Sequence, residues 1–514
     1  MRASHPVGMS KRTRLVTLLA LAASSVGAPA YAQPTPDPAP PPPAGDNPPA
    51  PPAPPAPPVS PETPATPVTP QDAKPPATTP TPVTDPVTSP KADDKKKEPP
   101  PPVHAKWDAT LYGFVEFDAI EDSTQGFNDI AANAAIARPN TYAGDHPQAT
   151  FGARNSRLGV KLAAPEYDGV KASAQLEMDF SGNQPPGISE AAFWQNPTMR
   201  FRHANVKLET RYVDILAGQY WNLFGWQTMA HPNTVAIQGL PGQVYGRAPQ
   251  VRIGKVIKGG AVDVDLEIAA VRPVNRISGV PDGQAGIKLM IPGYKGWHTA
   301  GSTGSALDAA ALGVSVLGRR FAPTAYSATP NKQTTANGYG VSVDAFIPVI
   351  PATKERHDGA LSLTGSYAYG AGTADQYTGL NGGVANPTLP NPDGATPAPA
   401  YTNVIDNGLA LYTADGTLHP IQWTSYIVGA QYYVTSAFWL AANYSHLDSG
   451  NAHLFTNNAP TKVFDQSSWA DGNVFLDLTP AVRLGFEFSW MNQTYVDATD
   501  ATDYREQLSA FFLF

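Results

Sequence analysis

From Trp107 onward, apolar and polar residues alternate along the chain in stretches of about ten residues, the length of a strand that crosses a membrane. In VKASAQLEMDF, residues 170–180, the apolar residues occupy the even positions and the polar residues the odd ones. AVDVDLEIA (261–269) and VRLGFEFSWM (482–491) repeat the pattern. A period of two predicts β-strands, each with one apolar and one polar face.

Sixteen such strands are predicted, and the connections between them alternate between short and long. The strands are expected near 108–119, 154–163, 170–180, 199–208, 213–221, 250–258, 261–271, 284–291, 310–320, 338–348, 359–370, 422–434, 437–447, 467–478, 482–495 and 504–514. Long loops are expected at 120–153, 181–198, 222–249, 371–421 and 448–466. The segment 292–309 is long where a short turn is expected, so fourteen or eighteen strands stay open.

The last strand, YREQLSAFFLF (504–514), carries an apolar stripe that is unsuited to water. Inside a lipid bilayer every backbone N–H and C=O needs an internal partner, so this strand is expected to close against the first strand, 108–119. The fold class is therefore all-β, a transmembrane antiparallel β-barrel. Tyr and Trp near strand ends suit aromatic girdles (Trp221, Trp423, Trp439, Trp469, Trp490). The stripe is also expected to act as a C-terminal signal for the barrel-assembly machinery (Leu508, Ala510, Phe512, Phe514).

The N-terminal residues predict export. Lys11, Arg12 and Arg14 precede an apolar stretch from Leu15, and an Ala-x-Ala pattern ends at Ala32. Residues 1–32 are thus predicted to be a signal peptide, and the alternative of a membrane anchor is disfavoured because the apolar stretch is too short to span.

Residues 33–106 are expected to be a disordered periplasmic segment. They are rich in proline and carry the charged run KADDKKKE at 91–98. Such a composition favours extended polyproline II conformations and cannot bury a core. Two interpretations stay open: a spacer that crosses the periplasm and contacts peptidoglycan through its lysines, and a solubilising leader.

Charge and cysteine content narrow the function. Without residues 1–32 the chain has 31 basic and 43 acidic residues, which gives no indication of nucleic-acid binding. With no cysteine, an exported chain of this length depends on its hydrogen-bonded framework. The ten histidines are scattered, and no Ser/His or Asp/His pair at a defined rim predicts an enzyme. No cofactor and no metal site are expected.

A barrel of sixteen strands leaves an aqueous lumen, and the inward positions are charged. Two interpretations stay open: walls of opposite sign that produce a transverse field across a pore, and a salt-bridge ladder that stiffens the barrel. Basic residues are expected inside at Arg157, Lys161, Arg252 and Arg483. The predicted acidic wall comprises Glu116, Asp118, Glu177, Asp179, Asp263, Asp265 and Glu267.

The loop 222–249 is expected to fold into the lumen and to set its bore. It contains no Asp or Glu, and residues 196–260 hold eight Lys or Arg against two acids. Arginines offer a two-pronged donor to carboxylates, so a preference for anions is predicted. Arg200 and Arg202 face inward only if their strand contains a bulge. The predicted basic constriction comprises Arg157, Arg200, Arg202, Arg247, Arg252 and His231.

Several stretches resemble the DcaP-like outer-membrane porins. They are LYGFVEFDAI (111–120), ARNSRLGVKL (153–162), LEMDFSG (176–182), RFRHANVKL (200–208), DILAGQYWNLF (214–224) and RAPQVRI (247–253). The resemblance implies a homotrimer of sixteen-stranded barrels in the outer membrane that admits small anions, dicarboxylates among them. It also places arginines at matching motif positions (Arg157, Arg200, Arg202, Arg247, Arg252).

The sequence thus favours a passive diffusion porin, embedded in outer-membrane lipid and lipopolysaccharide, with a preference for small anionic solutes. The alternative is a structural anchor in which the barrel only holds the Pro-rich arm against the cell wall. A barrel protease or phospholipase is disfavoured, because a barrel of this size is not packed shut.

Overall fold

A computed structural model describes residues 107–514, apart from 127–128, 184–194, 237–238, 276, 328–330, 388–404 and 457–461. The predicted signal peptide (1–32) and the Pro-rich segment (33–106) lie outside the described residues. In the part that is described, no helix is long and apolar enough to cross a membrane.

The described residues form one antiparallel sheet of sixteen strands that closes on itself. The second strand is interrupted, because both of its segments pair with the first strand. The strands are β1 (Asp108–Asp122), β2 (Gln148–Gly152 and Arg157–Ala163), β3 (Lys171–Asp179), β4 (Arg200–Glu209), β5 (Asp214–Trp221), β6 (Arg247–Ile257), β7 (Asp263–Val271), β8 (Asp282–Ala300), β9 (Gly304–Phe321), β10 (Ala336–Ile350), β11 (Leu361–Ala371), β12 (Gln422–Thr435), β13 (Phe438–Asp448), β14 (Phe464–Thr479), β15 (Val482–Tyr495) and β16 (Asp500–Leu513).

The barrel closes between its first and last strands, as predicted. β1 pairs with β16 from Phe114–Leu513 to Asp122–Arg505, and Gly113 exchanges two backbone hydrogen bonds with Phe514, of 2.9 and 3.1 Å. Gly113 has φ +154°, and a Cβ at this position would lie 2.2 Å from the carbonyl oxygen of Arg157. The seam between β1, β2 and β16 therefore leaves no room for a side chain at Gly113.

The two faces of the wall differ as a membrane barrel requires. Along β16, Leu508 and Phe512 are about half exposed on the outer face, whereas Gln507 and Ser509 on the inner face are buried. The same alternation of apolar outward and polar inward residues runs through the other strands. Because each strand pairs on both sides and the outer face is apolar, the barrel fits a bilayer, and its place is the bacterial outer membrane.

Exposed tyrosines line the outer face together with Trp490, which lies opposite Tyr504, whereas three of the other predicted girdle tryptophans do not face outward. Trp423, Trp439 and Trp469 point into the barrel, where they are at most 1% exposed, so their assignment to a girdle is wrong. Each donates its indole N–H to an oxygen in the interior, respectively of Gly408, Asn233 and Asp471. The exposed tyrosines on the outer face include Tyr339, Tyr367, Tyr426, Tyr432, Tyr444 and Tyr504.

The segment 292–309 is not a long turn, because β8 and β9 continue through it as paired strands. Only residues 301–303 connect the two strands. The prediction of a long connection was wrong because PGYKGWHTAGSTG lacks strict alternation and contains the turn-forming residues Pro and Gly. The doubt about the strand count came from this segment alone.

Loops at one end of the barrel pack together over an apolar cluster. By the rule that long loops face outward, this is the extracellular end. The loops after β1, β5 and β11 contribute buried residues, among them Ile136, Leu240 and Leu409. The loop after β11, residues 372–421, also contains a short helical turn (Ala374–Gln376) and a small hairpin (Ala410–Tyr412 with Leu418–Pro420). A second helical turn, Ala452–Phe455, lies in the loop after β13.

Candidate functional site

The loop between β5 and β6, residues 222–246, crosses the interior of the barrel. At its beginning, the backbone N–H of Gly225 donates to Ser315 Oγ on β9, at 2.8 Å. Further along, the N–H of Ala236 donates to Glu487 Oε2 on β15, at 2.8 Å. Because β9 and β15 lie six strands apart in the wall, one loop that contacts both must run through the lumen. We call residues 222–246 the constriction loop.

Trp226 holds the beginning of the constriction loop against the wall. Its indole lies over two glycines on neighbouring strands: a Cβ would be 2.9 Å from the ring at Gly286 and 2.5 Å at Gly313. The indole N–H donates to the carbonyl of Val314 at 3.1 Å, and Lys288 Nζ lies 4.5 Å from the ring centroid. The two glycines thus form a flat recess for the indole ring, and any side chain at either position would fill it.

The far part of the loop is held by polar side chains of the opposite wall. Glu487 accepts from Thr234 Oγ1 at 2.6 Å in addition to the N–H of Ala236, and Asn473 Oδ1 accepts from the N–H of Val235 at 2.9 Å. Asn233 accepts from the indole of Trp439. The loop backbone is therefore fixed on both sides of the barrel.

A bulge in β4 brings Arg202 into the interior. The pairing with β3 shifts between Glu177–His203 and Met178–Phe201, so that Arg202 is the extra residue. Both Arg202 and His203 are buried, while Phe201 and Ala204 on either side point outward. Because of this bulge, the arginines of β4 face inward, as expected for a bulged strand.

Arg202 is the centre of a charged cluster between β3, β4 and the end of the constriction loop. It donates to Glu177 at 2.7 Å, to Asp179 at 3.0 Å and to the phenol oxygen of Tyr245 at 3.0 Å. Asp179 also receives a two-pronged hydrogen bond from Arg200, at 2.6 and 2.9 Å. Arg200 and Arg202 therefore share the carboxylate of Asp179.

Two further arginines of the cluster are less completely neutralised. Arg247 stacks its guanidinium on Trp221 and Tyr245, 4.9 and 5.2 Å from the ring centroids, and its buried Nη1 has no hydrogen-bond partner among the described residues. Arg157 Nε lies 3.6 Å from Glu177, which is too long for a hydrogen bond. Four guanidinium groups thus surround the two carboxylates of Glu177 and Asp179.

The other two predicted constriction residues have different surroundings. Arg252 lies further along β6 and is paired with Glu267 at 2.8 Å. His231 lies in the constriction loop, where burial, as the largest cause, lowers its pKa to about 3. His231 is therefore uncharged at neutral pH and supplies a dipole rather than a positive charge.

The predicted acidic residues do lie on the inner face, but most of them are engaged by neighbouring residues. Lys258 contacts Asp263 at 2.7 Å, and Lys288 contacts Asp265 at 3.1 Å. Asp118 accepts hydrogen bonds from Asn155, Gln507 and Ser509. These contacts run along the wall between neighbouring strands, so the acidic residues form a ladder within the wall rather than an isolated negative face.

Sequence reasoning missed two groups that shape this site. Tyr245 shares a hydrogen bond with Arg202, yet it lies in a loop without periodicity; its place two residues before Arg247 was the available signal. Glu487 was recognised only as an inward residue, because nothing in the sequence relates β15 to a loop more than two hundred residues earlier.

Comparison with known proteins places this fold among the outer-membrane porins. The crystal structure of the outer-membrane channel DcaP of Acinetobacter baumannii superposes with a TM-score of 0.58 at 18% identity, over 80% of this chain and 98% of that one. An anion-selective porin from Comamonas acidovorans (TM-score 0.44, 11% identity, 80% and 100% of the two chains) and Salmonella typhi OmpF (0.45, 11%, 79% and 97%) are more distant. No protein-family model and no curated protein sequence matches the chain significantly.

Fold and site therefore define a closed sixteen-stranded β-barrel with the fold of outer-membrane porins. Among the structures compared, the DcaP channel shares this fold at a TM-score above 0.5, in agreement with the resemblance of the sequence motifs.

Proposed function

We propose that the protein is a passive diffusion porin for small hydrophilic solutes, with a preference for anions such as dicarboxylates. The observation that carries this proposal is the arginine cluster at the end of the constriction loop. Arg157, Arg200, Arg202 and Arg247 outnumber Glu177 and Asp179 there, and the described residues of the loop itself bring no acid.

The geometry of Arg247 supports the sign of the preference. Its guanidinium is held flat by two aromatic rings and keeps an N–H without a partner. Arg247 as a whole is only partly buried, so its positive charge can attract a solute carboxylate that passes the loop, and this attraction is stronger in a site of low dielectric than in water. A cation of the same size gains no such contact and is repelled by the excess positive charge.

Reversal potentials in a planar bilayer under a KCl gradient test the proposal. We expect the wild-type channel to be anion-selective and Arg247→Ala to lose most of that selectivity, by about twofold or more in the permeability ratio. Arg211→Ala is the matched control, because it removes the same charge from the turn between β4 and β5, at the opposite end of the barrel. Cation selectivity of the wild type, or equal effects of the two substitutions, would contradict the proposal.

The alternative function as an anchor predicts no conductance at all, so the same recordings separate the two functions. Three expectations stay predictions alongside the proposal: a homotrimer, contact of residues 33–106 with peptidoglycan, and recognition of the last strand by the barrel-assembly machinery. Trimerisation is supported by the fold shared with porins, several of which form trimers.

A further inference from the structure

The hairpin formed by residues 292–309 leaves the barrel wall. The pairing of β8 with β9 jumps from Ile291–Ala310 to Lys295–Ala309, so that Pro292, Gly293 and Tyr294 are extra residues on β8. Extra residues on one strand bend a hairpin at that point. We call residues 292–309 the inner hairpin.

Beyond the bend, the inner hairpin contacts wall strands that are not its neighbours. The N–H of Thr299 donates to Gln431 Oε1 at 2.9 Å, and its hydroxyl lies 2.6 Å from that of Tyr433, both on β12. Arg483, on β15, donates to the carbonyl of Ser302 at 2.5 Å. All three partners point inward and are at most 5% exposed. A hairpin that reaches from β8 to β15 through inward side chains lies inside the barrel.

The tip of the inner hairpin is bonded to the constriction loop. The N–H of Gly301 donates to the carbonyl of Pro232 at 2.8 Å, and Asn233 Nδ2 donates to the carbonyl of Gly301 at 2.6 Å. The ring of His298 lies 3.1 Å from the carbonyl oxygen of His231. Two elements that enter the lumen from opposite ends of the barrel therefore meet at residues 231–233.

Close packing fixes the base of the inner hairpin. Trp297 stacks on His357 with 4.3 Å between ring centroids, and it packs against an apolar cluster that includes Trp439 and Phe475. A Cβ at Gly296 would lie 2.6 Å from the ring of Pro348. The base of the inner hairpin is thus packed tightly against β10 and β11, and this packing holds the hairpin inside the barrel.

From these contacts we infer that the inner hairpin is a second constriction element, which narrows the lumen at the periplasmic end and supports the constriction loop from below. The inference rests on the proposed function as a porin. The width of the channel is then set by the constriction loop and the inner hairpin together, not by the constriction loop alone.

A deletion tests this assignment. Because Ile291 pairs with Ala310, replacing residues 292–309 by Asn-Gly leaves β8 and β9 joined by a two-residue turn at the wall. We expect the single-channel conductance to rise by about twofold, since an element that fills part of the lumen is gone. An unchanged conductance in a channel that opens would overturn the inference, and absence of conductance in the wild type would overturn the proposed function with it.

A labelling experiment gives the answer without removing any residue. The chain contains no cysteine, so a thiol reagent modifies only an introduced one. Ser305 is exposed and pairs with Thr299 in the interior. We expect Ser305→Cys channels to lose part of their conductance when treated with an anionic methanethiosulfonate. Glu166→Cys, in an exposed turn at the same end of the barrel, is the matched control; equal responses of the two variants would overturn the inference.

Discussion

At the scale of the residue, Arg202 is the arginine around which the charged cluster of the constriction is arranged. Alternation along β4 places Arg200 and Arg202 with the outward residues Ala204 and Val206, and only the extra residue of the bulge reverses this. A bulge has no unique sequence signature, so alternation alone left the orientation of both arginines open. The sequence showed that the constriction would be rich in arginine. It did not show that Glu177 and Asp179 would be the partners of these arginines, because that depends on the register between β3 and β4.

Tyr245 predicts a pH dependence of selectivity. Burial raises the pKa of a tyrosine, but the nearby positive charges of Arg202, Arg247 and Arg157 outweigh burial and lower the pKa of Tyr245 to about 7. The phenol is neutral below that pH and carries a negative charge above it. We therefore expect the preference for anions to weaken as the pH rises from about 6 to about 8.5, well below the range in which an ordinary tyrosine titrates.

Reversal potentials at the two pH values measure this effect, and Tyr245→Phe provides its control. The phenylalanine variant keeps the ring that stacks on Arg247 but has no proton to lose. A pH dependence that persists in this variant would show that another group is responsible.

At the scale of the element, the strands and the constriction loop were predictable and the inner hairpin was not. A period of two located every strand, since each strand has lipid on one side and polar surroundings on the other, but it missed the continuation of β8 and β9 through 292–309. The inner hairpin lies inside the barrel and does not separate lipid from a polar interior, so no alternation marks it. The constriction loop was predicted from its position after β5 and from its lack of acids, whereas its contacts with β14 and β15 depend on the closed barrel.

The glycine recess under Trp226 predicts how the constriction loop responds to a change in the wall. Gly313→Val places atoms where the indole lies, because even a Cβ would be 2.5 Å from the ring. We expect the beginning of the loop to be displaced and the open-channel current to become noisier, at a cost of about 1–3 kcal/mol in stability.

Single-channel recordings and thermal unfolding in detergent measure these two effects. Gly318→Val, on the same strand, is the control, since nothing lies within 4 Å of a Cβ at that position. Quiet currents in Gly313→Val would show that Trp226 does not hold the loop.

At the scale of the whole molecule, the closing seam determines whether the barrel forms. A side chain at Gly113 would collide with the backbone of β2, which cannot move away without breaking the pairing of β1 with its neighbours. We expect Gly113→Val to abolish most of the folded barrel, which is detected as loss of the heat-sensitive mobility shift on gel electrophoresis. Gly472→Val, on the outer face of β14 with open space around it, should fold normally.

The seam also has a consequence for the time course of biogenesis. Ser509 on β16 donates to Asp118 on β1, 391 residues earlier in the chain. Contacts between such distant residues form late and slowly, because the entropy of a very large loop must be overcome first. The edges of β1 and β16 stay unpaired throughout that interval and can pair with other chains, so aggregation competes with closure of the barrel until these two strands meet.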